Sequence, residues 1–348
     1  MTDAPQQAET PAAAEAAPAD ESLTVKGAAQ RIFGFESFSV LVATVALGVV
    51  IGILHPAFFN ADQLKDMLQQ SVYIGVLAAG MAFLISMREI DLSVGSIFGL
   101  TLIISALLMK HGMNPWLAGL AGVLLGAACG LLNAILVQVI TIPAIVATLA
   151  TLSMFRGLAL ALSDGQQVTG LPLKHPFFDL GGDLWFLPYS VWVMLVVAIV
   201  LTAVLRLTPF GYRVRSIGSN PEAATFSGIS IPRVRVQALV LMGALAGLAG
   251  MLGLAFFESG DPNIGTGFEL EAIAATIIGG TPLRGGSATV VGAVIGAILL
   301  SEVNSGLVYF NVPVNWSAFA TGAVILLAVS LDSLLRRRRR GQSSGLAL

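Results

Sequence analysis

The stretch SMREIDLSVGSIF, residues 86–98, sets Arg88, Glu89, Asp91 and the hydroxyl of Ser93 between two long apolar runs. Charged side chains in such surroundings are costly unless they pair or serve a function. Several chemistries suit these four. Arg88 and Asp91 are three apart and can pair if the segment is helical. Asp91 or Ser93 can cap a helix that starts near Val94. Either acid can instead hold a proton or a substrate in a transport path, or the group can be solvated at the end of a membrane span. For Asp91, cap and path remain equal alternatives. A second stretch, ESGDPNIGTGFELEA at 258–272, repeats the pattern. Asp261 and Asn263 sit in a turn, a glycine follows four residues after the Asp, and Thr266 with Glu269 has the spacing of a capping box.

Other chemistries are excluded by the residues present. His55, His111 and His175 are scattered, and Cys129 is the lone cysteine, so neither a zinc-type cluster nor a disulfide framework can form. There is no Ser/His/Asp set and no Walker-type motif. We therefore assign no catalytic residue, no metal and no cofactor.

The elements that must position the charged stretches are membrane helices. Only 11% of residues are charged and 56% are hydrophobic, against about 25% charged in soluble domains; mean hydropathy is +0.86. The 38 glycines suit close packing of membrane helices. With roughly 20 apolar residues needed per crossing, the runs predict an all-α, polytopic membrane protein of about ten spans, near 38–54, 71–87, 92–109, 116–140, 142–162, 188–205, 236–257, 268–281, 288–310 and 314–331. Residues 1–30, rich in Ala, Pro and acid, read as a disordered tail without the features of a signal peptide. The transmembrane domain then covers 31–335, and 336–348 is a basic tail whose five arginines suit an anchor beside anionic headgroups. Ten spans starting from inside put Lys26, Arg31, Arg206, Arg213, Arg215, Arg233, Arg235, Arg284 and Arg336 to Arg340 on one side, against Lys65, Lys110 and Lys174 on the other. The positive-inside rule assigns both termini to the cytoplasm.

The two charged stretches are related by a fixed offset. Shifting the sequence by 170 residues aligns Asp91, Gly95 and Phe98 with Asp261, Gly265 and Phe268, and Gly122, Gly126 and Pro143 with Gly292, Gly296 and Pro313. In all, 16 identities fall in the 73 positions from 79 to 151, with no gap. The copies, about 71–162 and 241–332, start with spans of opposite direction. That is an inverted repeat, a construction common among transporters.

The cytoplasmic loop 206–235 holds SNPEAATFSG, which has the grammar of one short helix. Asn220 can cap it, Pro221 suits its first turn, Glu222 favours its positive end and Gly228 ends it. Ala223, Ala224 and Phe226 give it a small apolar knob, suited to a contact with another protein or to a place on the membrane surface.

EIDLSVGS, GSNPEAATFSGI and GFELEAIAATIIGGTPLRGG, in that order, resemble the permease subunits of ribose-type sugar ABC importers, and the resemblance runs from about 38 to 333. It implies a bacterial inner-membrane permease without catalytic residues, acting as a dimer. Its expected partners are a second permease copy, two cytoplasmic ATPase subunits that bind the ATP, a periplasmic sugar-binding protein and a monosaccharide or polyol substrate, with no role for nucleic acid. It also implies that Asn220, Pro221, Glu222, Ala223, Ala224, Phe226 and Gly228 form the coupling helix seated on the ATPase. Arg88, Glu89, Asp91, Ser93, Asp261 and Asn263 are expected in the path or at helix breaks. Many members carry two glycines where this chain has Arg88 and Glu89. The competing expectation is a self-sufficient proton-coupled transporter using Asp91 or Glu89.

Overall fold

The computed structural model describes residues 35–313 and a few positions between 316 and 330. The two tails, 1–30 and 336–348, lie outside the described residues. The chain folds into helices α1 (Phe35–Leu54), α2 (Ala61–Ser86), α3 (Val94–Lys110), α4 (Pro115–Val139), α5 (Ala144–Leu162), α6 (Tyr189–Leu207), α7 (Pro209–Ser219), α8 (Pro221–Phe226), α9 (Ile231–Phe257), α10 (Phe268–Ile278) and α11 (Val290–Tyr309). A small hairpin, β1 (Asp183–Leu184) with β2 (Leu187–Pro188), lies between α5 and α6.

Local sequence sets the helix ends. Asn60 and Asn114 cap α2 and α4, accepting from the N–H groups of Asp62 at 3.2 Å and Trp116 at 3.0 Å, and Pro115 occupies the first turn of α4. The apolar runs then sort by burial. Every residue of α2 from Ser71 to Ser86 is buried, which makes it the axis of the bundle. Leu117, Leu120 and Leu124 of α4 and Val196 and Ile199 of α6 are exposed. Such an apolar outside is solvated by lipid, where a contiguous patch of this size in water would aggregate.

Small residues let the interior helices approach. A Cβ on Gly126 of α4 would overlap the Gly243 carbonyl of α9, and one on Gly243 would overlap the Gly126 carbonyl. Gly122 meets Gly247, and Gly130 meets Leu239. As numbers rise in one helix they fall in the other, so α4 and α9 are antiparallel and packed through glycine.

Ten complete crossings are not reproduced. Among the described residues, six helices (α2, α4, α5, α6, α9 and α11) are long and apolar enough to cross a membrane by length and composition. Phe38–Leu54 and Val94–Lys110 are shorter apolar helices. The expected span at 268–281 becomes α10, which has 11 residues and at about 1.5 Å per residue covers roughly half of a 30 Å hydrocarbon core. The reason lies just beyond it, where Gly280 and Gly285 take φ of 98° and 74° on either side of Pro282 and unwind the chain. More than half of the expected tenth span, 314–331, falls outside the described residues.

Candidate functional site: two helix breaks and a short surface helix

The chain leaves α2 at Ser86 and enters α3 at Val94 through a break that uses all four of the first-stretch residues. Arg88 takes a left-handed backbone at φ 66°, a conformation open to glycine and uncommon for other residues. Its side chain turns away from Asp91, and the Arg88–Asp91 pair that a helical segment would allow does not form. Arg88 Nε donates to Gly218 O at 2.7 Å and Nη2 to Ser219 O at 3.0 Å. Glu89 pairs instead with Arg235 of α9. Burial pushes the Glu89 carboxyl above its ordinary range, and the Arg235 charge opposes that shift.

Asp91 is fully buried, so it is not solvated at a span end. Its Oδ1 accepts from Ser93 N at 2.8 Å and from Ser93 Oγ at 2.6 Å. The N-cap position of α3 belongs to Ser93, whose side chain makes no cap bond. Asp91 therefore shapes the turn before the helix through the Ser93 N–H. Asn133 of α4 completes the cluster, with Nδ2 donating to Ser93 Oγ at 2.8 Å and lying 3.4 Å from Asp91 Oδ2. Thr151 of α5 donates to Asn133 Oδ1 at 2.7 Å. Four buried polar side chains thus join the break to α4 and α5. Hydrogen bonding is the condition on which such groups are tolerated away from water.

The second break, between α9 and α10, has the same turn in a more open place. Asp261 Oδ1 accepts from Asn263 N at 2.8 Å and Asn263 Nδ2 at 3.1 Å, and Asn263 is exposed. The expected Thr266–Glu269 capping box is absent. Gly267, at φ 87°, is the N-cap residue of α10, and the Thr266 hydroxyl donates to Asn263 O at 2.7 Å. With the N-cap one residue later than expected, Thr266 and Glu269 lose the register that the box requires. Other segments hold this break in place. Arg156 Nη1 of α5 donates to Pro262 O at 2.5 Å and Ile264 O at 3.1 Å, and Val168 exchanges backbone hydrogen bonds with Gly260 at 2.7 and 2.9 Å. The two breaks meet, because a Cβ on Gly95 would overlap Gly265 O and the Glu269 carboxylate.

The loop between α6 and α9 holds two helices. Asn220 caps α8, accepting from Ala223 N at 3.0 Å, with Pro221 and Glu222 in the first turn. Gly228, at φ 79°, donates to Thr225 O at 2.9 Å and turns the chain out of the helix. Ala224 is buried beneath it, Glu222 and Ala223 are exposed, and Phe226 is 92% exposed. Beside α8 lies a cleft of about 420 Å³ lined by Tyr212, Arg215, Ser219, Asn220, Ala223 and Ser227. Helix α7 was missed in the sequence, although Thr208-Pro209 marks its start and Gly211, Val214, Ile217 and Gly218 form its buried stripe. Phe210 stacks on Phe83 of α2 at 5.8 Å, which seats the helix against the first break. Asn133, Thr151 and Arg235 were also missed. The signal for Asn133 was an amide in the middle of the apolar run of α4.

A bundle of apolar helices with charged, hydrogen-bonded breaks inside it and a capped, solvent-facing helix outside it defines a multi-pass membrane protein of the transporter class. The chain belongs to the family described as branched-chain amino acid transport system / permease component, which matches residues 63–329. It is 36% identical to the ribose import permease protein RbsC of Bacillus subtilis over 307 residues, 88% of this chain and 94% of that one. It is 34% identical to the L-arabinose ABC transporter permease protein AraH of Azospirillum brasilense over 304 residues, 87% of each. It is 33% identical to the autoinducer 2 import system permease protein LsrC of Photorhabdus laumondii over 301 residues, 86% of this chain and 89% of that one. The resemblance to ribose-type permeases is thus borne out.

Proposed function

We propose that the chain is the membrane permease of a bacterial ABC importer that moves a monosaccharide or related polyol. The sugar arrives on a periplasmic binding protein, two ATPase subunits drive the cycle from the cytoplasm, and a second permease copy completes the path. The observation that carries this reading is α8, a six-residue helix capped at Asn220, turned out at Gly228 and presenting Phe226 almost fully to solvent. Exposed aromatic anchors of this kind fit into partner pockets. Arg206, Arg213, Arg215, Arg233 and Arg235 flank α8 and support a cytoplasmic position for it.

Three features support the inverted repeat. Helices α2 and α9 start 170 residues apart, at Ala61 and Ile231. Asp91 and Asp261 make the same turn, each accepting from the N–H two residues on. The packing is also exchanged between copies: α4 of the first packs on α9 of the second, and α11 of the second packs on α2 of the first. In this arrangement ATP-driven approach of two α8 helices would rock one copy against the other about the facing breaks.

The proton-coupled alternative has less support. Asp91 is sealed within the Ser93 and Asn133 cluster, and Glu89 is engaged by Arg235. Docking is tested by purifying the chain from its native membranes with its ATPase. Glu222→Arg and Phe226→Asp should each cut the retained ATPase at least about tenfold, as loss of a hot-spot anchor does, while membrane insertion stays normal. Full retention by both variants would remove the docking role of α8.

A further inference from the structure

The first break is attached to both ends of the α7–α8–α9 segment. Adjacent residues make the two attachments. Arg88 donates to Gly218 O and Ser219 O, the last carbonyls of α7, immediately before the Asn220 cap of α8. Glu89 pairs with Arg235, in the first turns of α9 just after α8. A third contact comes from the loop after α10, where Gly286 N donates to Ser86 O at 2.9 Å.

The polarity of each attachment suits its helix. The last carbonyls of a helix lack intrahelical partners, and a cation at that end is favourable. Arg88 supplies both the donors and the charge. The start of a helix carries the opposite partial charge, and α9 places Arg233 and Arg235 there. Glu89 offsets that excess of positive charge. Arg88 reaches the α7 carbonyls from a left-handed backbone, which is unfavourable for a residue with a Cβ. Its two charge-assisted hydrogen bonds give the conformation a purpose.

We infer that Arg88 and Glu89 are positioning residues that clamp the first helix break to both flanks of α8, so that displacement of α8 is carried into residues 87–93. This rests on the reading of α8 as the docking helix. The break in turn holds the Asp91–Ser93–Asn133–Thr151 cluster, through which the motion reaches α4 and α5. The clamp works as two short arms of opposite charge on consecutive residues.

The test is hydrogen–deuterium exchange of the purified chain in lipid nanodiscs, read by mass spectrometry beside thermal unfolding. Arg88→Gly removes the arm and relieves the left-handed backbone. Exchange over residues 216–229 should quicken about fivefold or more, as for a locally freed segment, with no fall in Tm. Arg88→Lys, which keeps the cation, should stay close to the wild type. Glu89→Arg should loosen 231–236, and the swapped pair Glu89→Arg with Arg235→Glu should restore it. Unchanged exchange in Arg88→Gly and in Glu89→Arg would overturn the clamp. Transmission is read by a double-mutant cycle. Asn220→Ala, which uncaps α8, should speed exchange of the Met87, Arg88 and Glu89 amides in the wild-type background and not in Arg88→Gly. Equal effects in both backgrounds would overturn transmission. Phe226→Asp should leave all these rates unchanged while losing the ATPase, so a failed clamp and a failed docking reading give different results.

Discussion

At the residue scale, the buried cluster around Asp91 fixes where α2 ends and α3 begins. Asn133 bridges it, so Asn133→Ala leaves Asp91 Oδ2 without its amide partner in a sealed interior and takes one hydrogen bond each from Ser93 Oγ and Thr151 Oγ1. An orphaned buried polar group costs about 1–3 kcal/mol, and the Tm of the detergent-solubilised chain should fall by several degrees. Asp91→Asn keeps an oxygen to accept from Ser93 N–H, so expression, Tm and transport should stay near wild type. Normal expression with lost transport would instead place Asp91 in the substrate path. The sequence showed that these residues mattered and did not show their partners. Arg88 and Asp91 stand three apart, yet the left-handed turn at Arg88 sends the guanidinium to residues 130 positions away. Spacing rules for helices do not apply across a break, and long-range partners such as Arg235 leave no local signal.

At the element scale, α8 was legible because its cap, first-turn proline, acid and terminal glycine are all local features. Helix α7, with the same grammar at Thr208 and Pro209, was passed over because its basic residues read as loop. The apolar runs located the long helices well. They overstated α10, since hydropathy counts Ile277, Ile278 and the residues after them alike, although Gly280 and Pro282 stop the helix. The glycine contact between α4 and α9 gives the element-scale prediction. Gly126→Leu forces a branched side chain into the Gly243 and Gly247 backbone. Overpacking of this kind costs about 1–3 kcal/mol or more, so the variant should be recovered from membranes in lower yield and unfold at lower temperature. Leu124→Ile, on the exposed face two residues earlier, serves as the control and should unfold as the wild type does.

At the scale of the whole molecule, a surface helix lies against a sealed helix break, which meets the break between α9 and α10. Composition was enough to define a polytopic helical membrane protein, and motif order was enough to point to sugar importer permeases. The side of the membrane on which α8 lies, the completeness of the spans and the partners depend on a lipid bilayer and on other chains, whose contacts a single sequence encodes only as exposed surface. Phe226 is the clearest such surface. In the proposed function, an ATPase seated on α8 powers transport. The most direct test is uptake of a panel of radiolabelled pentoses and hexoses, ribose and arabinose among them. The assay uses proteoliposomes holding the permease, the ATPase that co-purifies with it and its binding protein. The account predicts uptake that requires ATP and the ATPase and that is lost in Phe226→Asp with the protein still inserted. Uptake driven by a pH gradient without the ATPase, and unaffected by Phe226→Asp, would contradict it.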